Sequence, residues 1–135
     1  MLSNTYTDEA KIATQQDAAN VTYTSLYDKI NRVITVTNNQ TPVRTQSTKY
    51  DAKGRILEQK DPLNYAMQYT YGAEFAPLTI KDKRNNTITN AYDTNGNLTS
   101  ITYPDTKKVT YEYDANNRLT KINDERYSAA PGKVT

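Results

Sequence analysis

The sequence predicts an all-β fold in which antiparallel β-hairpins repeat along the chain and form a curved, twisted sheet. Three observations predict it: tyrosines recur at a nearly constant spacing, Asp-x-x-Gly or Asp-x-x-Asn turns follow four of them, and strand-forming residues lie between the turns. Of the 135 residues only 36% are hydrophobic, and the aromatic side chains are twelve Tyr, one Phe and no Trp. Because Tyr carries an apolar ring and a polar hydroxyl, this composition suits a sheet that is wetted on at least one face.

The composition also excludes several classes of function. The chain has no Cys and no His, so it lacks disulfides, thiolate nucleophiles, the usual general base and the commonest metal ligands. We therefore predict no catalytic site, no metal and no cofactor. The 17 basic and 15 acidic residues are interspersed, which argues against a nucleic-acid partner. No apolar run is long enough for a membrane span, and we expect any export signal to lie outside this chain.

The repeat is set by tyrosines spaced 21, 23, 21, 21 and 21 residues apart. A fixed period of this length is typical of a repeat architecture. We therefore predict that residues 1–135 form a single array fragment of about six units. The units begin near Tyr6, Tyr27, Tyr50, Tyr71, Tyr92 and Tyr113.

A turn forms the centre of each well-preserved unit. In Asp-x-x-Gly, the Asp accepts a hydrogen bond from the backbone two residues on, and the Gly supplies a positive φ. Asn31 and Asn117 stand in place of Gly, and Asn is the next most tolerant residue there. A type I turn followed by a left-handed residue predicts a hairpin loop with a G1 bulge. The predicted turn residues are Tyr27, Asp28, Asn31, Tyr50, Asp51, Gly54, Tyr92, Asp93, Gly96, Tyr113, Asp114 and Asn117.

A second turn closes each unit, and a strand with regular alternation follows it. Pro and Asn mark this turn at residues 38–42, 61–64 and 104–108. After the last of these, Val109, Tyr111 and Tyr113 should share one face of a strand. Met67, Tyr69 and Tyr71 should repeat that face. The strand after each Asp-x-x-Gly turn is less regular, so its faces are left unassigned.

Two segments near the ends need separate interpretation. Asp8 to Ala19 contains helix-forming residues, but its fit to the period favours a divergent hairpin over a helix. Gly132 to Thr135 resembles residues 107–110, which precede Tyr111-Glu112-Tyr113-Asp114. We therefore expect the chain to be cut from a longer array.

The motifs resemble those of the YD/Rhs-repeat family. The resemblance rests on Asp51-x-x-Gly54-Arg55 and Asp93-x-x-Gly96-Asn97-Leu98, each after a Tyr, on residues 61–64 (Asp-Pro-Leu-Asn) and on two Tyr-x-Tyr pairs. It implies a β-sheet ribbon that spirals into a hollow shell, as in bacterial toxin complexes, Rhs polymorphic toxins, wall-associated proteins and teneurins. The implied partners are neighbouring repeats and an enclosed toxin domain, and the implied location is secreted or at the cell surface. Six hairpins make only an open arc of such a shell, whose free edges favour edge-to-edge self-association.

Three chemical alternatives remain to be weighed against turn chemistry. Asp93 to Asn97 starts like a calcium loop, but the twelfth residue, where Glu is needed, is Pro104. The aspartates of successive turns would form a row, which is more simply a line of turn caps beside Arg32, Arg55 and Arg118. Exposed Tyr rings could bind sugars, although cross-strand packing explains them as well. The sequence thus favours a structural repeat module of a toxin-type shell, with a carbohydrate-binding adhesion module as the alternative.

Overall fold

Strand-forming residues and short polar turns account for all the structure described here. The computed structural model describes residues 3–6, 10–73 and 76–127, with side chains from residue 14 onward. Over these residues no helix occurs, and hence none with the length and hydropathy for crossing a membrane. The twelve strands are β1 (Ser3–Tyr6), β2 (Ala10–Gln16), β3 (Thr22–Asp28), β4 (Val33–Asn38), β5 (Thr45–Tyr50), β6 (Ile56–Lys60), β7 (Ala66–Tyr71), β8 (Pro77–Lys81), β9 (Thr87–Tyr92), β10 (Leu98–Thr102), β11 (Lys108–Tyr113) and β12 (Leu119–Asp124).

The strands pair in chain order within each of the two units of the chain. In the first unit, Met1–Tyr69, strands β1 to β7 are each antiparallel to the strand before. In the second unit, Thr70–Thr135, the same holds from β8 to β12. The predicted all-β fold of antiparallel hairpin repeats is confirmed.

The N-terminal segment is a hairpin and not a helix. Strand β2 pairs with β3 over seven positions, from Ala10 opposite Asp28 to Gln16 opposite Thr22. The hairpin interpretation of Asp8 to Ala19 is therefore confirmed over its described residues. The turn after Tyr6 and the segment from Gly132 to Thr135 lie outside the described residues.

A bulge follows three of the predicted Tyr-Asp turns. Tyr50 faces Ile56 and Lys49 faces Glu58, so Leu57 has no partner opposite it. Thr99 in the hairpin β9–β10 and Thr120 in the hairpin β11–β12 likewise have no residue opposite them. A residue inserted on one strand bends that strand and increases its twist, so the bulges are part of the repeat.

The sheet has almost no buried core. Among the described residues, Val109 is the one buried hydrophobic side chain, at 3% exposure, and Asn38 is the one buried polar side chain, at 8%. All five residues of β10 are half-buried, which explains why its faces could not be assigned from an alternating pattern. Most other residues of the described strands are half-buried, and the rest are exposed.

Candidate functional site

One five-residue turn recurs throughout the described chain, and we name it the repeat turn. The backbone N–H of its first residue donates to the carbonyl of the fifth, and the N–H of the fourth donates to the carbonyl of the first. The fourth residue has a positive φ, as a type I turn followed by a G1 bulge requires. Seven segments have this geometry: 17–21, 51–55, 61–65, 82–86, 93–97, 103–107 and 114–118.

An aspartate caps six of the seven turns. In the turn 51–55, Oδ1 of Asp51 accepts the backbone N–H groups of Lys53 at 2.8 Å and Arg55 at 2.9 Å. The turns that begin at Asp17, Asp61, Asp82, Asp93 and Asp114 repeat both bonds. The turn 103–107 begins with Tyr103 and keeps both backbone bonds, and the N–H of Lys107 donates instead to Oδ1 of Asp105 at 3.2 Å. The carboxylate therefore satisfies two backbone donors that the tight turn leaves without strand partners.

The fifth residue completes the cap with its side chain, a role that the sequence pattern did not reveal. Nε of Arg55 donates to Oδ2 of Asp51 at 2.7 Å, and Arg118 makes the same 2.7 Å bond to Asp114. Asn97 replaces the guanidinium with its amide, 2.9 Å from Oδ2 of Asp93. In these three turns the sequence motif is therefore Asp-x-x-(Gly/Asn)-(Arg/Asn), and both carboxylate oxygens of the Asp accept hydrogen bonds.

Three of the four residues predicted to be left-handed have a positive φ. Gly54 has φ 81°, Gly96 has φ 84° and Asn117 has φ 60°. The prediction for Asn31 is wrong, because Arg32 is the residue with positive φ, at 54°.

The physical reason lies in the register and in the Asp28 side chain. Asp28 remains in the strand and pairs with Val33, so this loop is one residue longer than the loop of a repeat turn. Asn31 donates its backbone N–H to Oδ1 and its amide to Oδ2 of Asp28, at 2.9 and 2.7 Å. The left-handed step then falls on Arg32, whose carbonyl accepts the N–H of Tyr50.

The tyrosine before the turn ties neighbouring strands together in the second unit. The hydroxyl of Tyr113 donates to the carbonyl of Leu98 at 2.9 Å, and that of Tyr92 donates to the carbonyl of Pro77 at 3.2 Å. In both cases the acceptor is the first residue of the preceding strand, 15 positions back. Tyr27 and Tyr50 are half-buried at the corresponding ends of β3 and β5. Burying a ring while bonding its hydroxyl uses both parts of this amphipathic side chain.

Asparagine amides join two successive turns, and we name this contact the asparagine bridge. Oδ1 of Asn117 accepts the amide of Asn97 at 2.8 Å and the amide of Asn95 at 3.1 Å. The turns of Asp93 and Asp114 are thus brought side by side. Asn117 provides the left-handed backbone of its own turn and the acceptor for the preceding turn, which Gly could not do.

Replacing Asn117 with Gly tests the bridge without disturbing the turn. Gly accepts a positive φ, so Asn117→Gly removes only the side-chain acceptor. We expect the free energy of unfolding to fall by about 0.5–1.5 kcal/mol, as for a hydrogen bond lost at a partly exposed site. Asn85→Gly is the matched control, because Asn85 also has positive φ, at 65°, and belongs to the same unit. Equal effects of the two variants in urea unfolding would contradict a stabilising bridge.

Five aspartates at the turns have a pKa below the ordinary value of an Asp. Backbone and side-chain bonds from Arg118 lower the pKa of Asp114, and the amide bond from Asn97 is the main cause of the lowered pKa of Asp93. For Asp51, desolvation raises the pKa, but the bonds from Arg55 and Lys53 outweigh it and the net pKa is lowered. The pKa values of Asp28 and Asp82 are lowered as well. A hydrogen-bonded carboxylate loses these bonds when it is protonated.

Acid should therefore destabilise the protein in a defined direction. Because these pKa values are lower in the folded state, their stabilising effect is complete well above about pH 4, the pKa of an unfolded Asp. It is lost as the pH falls below that value. We expect a constant melting temperature from pH 7 to about pH 5 and a steep fall toward pH 3.

A triple variant tests whether the turn carboxylates cause the loss of stability at low pH. Asp51→Asn, Asp93→Asn and Asp114→Asn together keep the Oδ1 acceptor and remove the titrating group. We expect the triple variant to melt at a lower temperature at pH 7 and to depend less on pH. Circular dichroism melts at each pH provide the measurement. A pH dependence equal to that of the unmodified chain would show that the turn carboxylates are not its source.

The carboxylates of the turns act as hydrogen-bond acceptors for the turn backbone. Both oxygens of Asp93 are occupied by hydrogen bonds, so the segment compared above with a calcium loop uses its carboxylate as a cap. Over the part of the chain that the structure describes, no three His, Cys, Asp or Glu side chains lie close enough to hold a metal ion. The candidate site is therefore the set of repeat turns itself.

Comparison with known proteins agrees with this geometry. Residues 92–129 match the family model described as RHS Repeat. The match spans the turns 93–97 and 114–118 and the asparagine bridge between them. No curated protein matches the chain.

Proposed function

We propose that the chain belongs to the YD/Rhs-repeat family, whose model matches residues 92–129, and that it is a non-catalytic structural module of an encapsulating or display shell. The parent is a larger toxin-type protein, and Rhs repeats occur in secreted and surface proteins. On this proposal residues 1–135 form one array of six units, held by the turn residues from Tyr27 to Asn117. Its partners are the neighbouring repeats of the parent chain and an enclosed toxin domain, and the isolated chain pairs edge to edge with a second copy.

The near absence of a buried core is the observation that supports the proposal. A protein that functions alone normally buries a layer of hydrophobic side chains. Here the polar side chains of the turns bond to one another, and within the described residues only Val109 is a buried hydrophobic residue. Such a sheet is suited to continue into further repeats and to cover other parts of a larger molecule.

Limited proteolysis of the full parent protein tests the shell. Trypsin should leave a long C-terminal segment intact in the native parent. It should cleave that segment in a parent that carries both Gly54→Val and Gly96→Val, which strain two turns of the wall. A parent in which the C-terminal segment is digested as fast as an isolated copy of that segment would refute encapsulation.

A carbohydrate-binding surface module is the second candidate. Tyr23, Tyr65 and Tyr127 are 37%, 48% and 79% exposed, and exposed aromatic rings provide stacking surfaces with polar rims. A glycan array probed with this chain tests the candidate. Saturable binding to a defined glycan supports it, and uniform background across the array excludes it.

A further inference from the structure

We propose that a groove in the first unit binds an acidic monosaccharide, with Arg44 pairing with the sugar carboxylate. The groove has a volume of about 230 Å³ and is lined by side chains from β3, β4, β5, the loop after β4 and the turn 61–65. The shell function does not depend on this inference, whereas the sugar class of the ligand rests on the second candidate function. The groove is lined by Tyr23, Val36, Asn38, Gln40, Arg44, Gln46 and Pro62.

Strand register assembles the groove from residues that are distant in sequence. Tyr23 lies opposite Asn38. The backbone N–H of Asn38 donates to the carbonyl of Arg44, and the backbone N–H of Arg44 donates to the side-chain Oδ1 of Asn38. Val36 lies opposite Gln46. Cross-strand partners project from the same face of a sheet, so these two rows of side chains form one surface. The turn at Pro62 contributes to one wall.

Asn38 organises the polar part of the groove. It is 8% exposed, and both ends of its amide are hydrogen-bonded: Oδ1 accepts the backbone N–H of Arg44 at 2.9 Å, and Nδ2 donates to Oε1 of Gln40 at 3.2 Å. The Gln40 side chain is thereby oriented with its NH₂ group left to donate. Gln46 adds a second amide, which offers both a donor and an acceptor.

Arg44 carries the charge that determines the ligand class. Arg55, Arg118 and Arg126 are each paired with an aspartate at 2.7 Å or less. No acidic partner pairs with Arg44 among the residues described, and no acidic side chain lines the groove. A guanidinium binds a carboxylate through two parallel hydrogen bonds.

The remaining walls fit a single hydroxylated ring. The ring of Tyr23 provides an aromatic surface while its hydroxyl lies 3.4 Å from Asp17, and Val36 and Pro62 provide apolar surface. Amides such as those of Gln40 and Gln46 bind hydroxyl groups as donors and acceptors. The volume is below the roughly 300–1,000 Å³ of pockets for drug-sized ligands, so one ring is the expected occupant. A uronic acid combines the carboxylate, the hydroxyl groups and the apolar ring face.

Nuclear magnetic resonance titration of the whole chain tests the groove with three probes. Sodium glucuronate carries a carboxylate and a sugar ring, glucose carries only the ring, and acetate carries only the carboxylate. We expect glucuronate to shift the backbone amide signals of Gln40, Arg44 and Gln46 saturably, with a Kd at least about ten-fold below that of either comparator. An equal Kd for acetate or for glucose would overturn the inference, as would the absence of saturable shifts.

A matched pair of arginine variants tests the assigned contact. Arg44→Gln keeps the backbone N–H that Asn38 accepts and removes the guanidinium, so the fold should persist and the glucuronate Kd should rise at least about ten-fold. Arg84→Gln removes an exposed guanidinium from a turn in the other unit and should leave the Kd unchanged. Equal effects would overturn the inference. Glucuronate shifts that cluster outside the groove would also overturn it while leaving the second candidate function intact.

Discussion

Val109→Asp is expected to lower the free energy of unfolding by about 3 kcal/mol or more. Val109 is 3% exposed and lies between Ile101 on β10 and Asp124 on β12. The new carboxylate would be desolvated and would face Asp124, a group of the same charge, across the strands. Since domains are stable by only about 5–15 kcal/mol, this single change should remove much of the stability of the second unit.

Urea unfolding followed by circular dichroism measures the effect, with two further variants for comparison. Val109→Ala removes two methyl groups without adding charge and should cost about 1–2 kcal/mol. Val43→Asp makes the same Val-to-Asp substitution at a residue that is 63% exposed. Its free energy of unfolding should stay within about 0.5 kcal/mol of that of the unmodified chain. If Val109→Asp and Val43→Asp had the same effect, Val109 would not be the centre of a hydrophobic contact.

The hairpins could be predicted from the sequence because their signal is local. An Asp and a Gly three residues apart define both the hydrogen-bond acceptor and the left-handed position, so Asp51 with Gly54 and Asp93 with Gly96 were identified directly. The same turn at 17–21 and 82–86 was missed, although Asp and Asn stand in the corresponding places. The second turn of the unit was predicted where Pro marks it, at residues 38–42, 61–64 and 104–108, and neither 17–21 nor 82–86 contains Pro.

The errors and omissions share a physical origin in strand register. Asn31 occupies the same place in the pattern as Asn117, but the pairing of Asp28 with Val33 lengthens the loop and moves the left-handed step to Arg32. The groove of Arg44 was also beyond prediction, because three strands must align before Tyr23 and Asn38 lie beside it. A shift of one residue in strand register moves every side chain of that strand to the opposite face of the sheet. Local sequence patterns therefore do not determine such contacts.

Gly54→Val and Gly96→Val are each expected to lower the free energy of unfolding by more than about 1 kcal/mol. The φ angles are 81° and 84°, a region that a β-branched side chain disfavours. A Cβ at either position would meet no other atom within 4 Å. The loss should therefore come from the backbone conformation alone, and no cavity or clash contributes to it.

Gly96→Asn tests whether the loss of stability comes from the backbone conformation or from adding a side chain at this position. Asn adopts a left-handed conformation more readily than other residues with a Cβ, and Asn20, Asn64, Asn85 and Asn117 already do so in this chain with φ between 60° and 65°. We expect Gly96→Asn to lose well under half of what Gly96→Val loses in parallel urea titrations. Equal losses would indicate that the side chain itself disturbs the turn, and no loss from Val would mean that the left-handed position is not required. Either outcome would contradict the conformational role that the repeat turn assigns to its fourth residue.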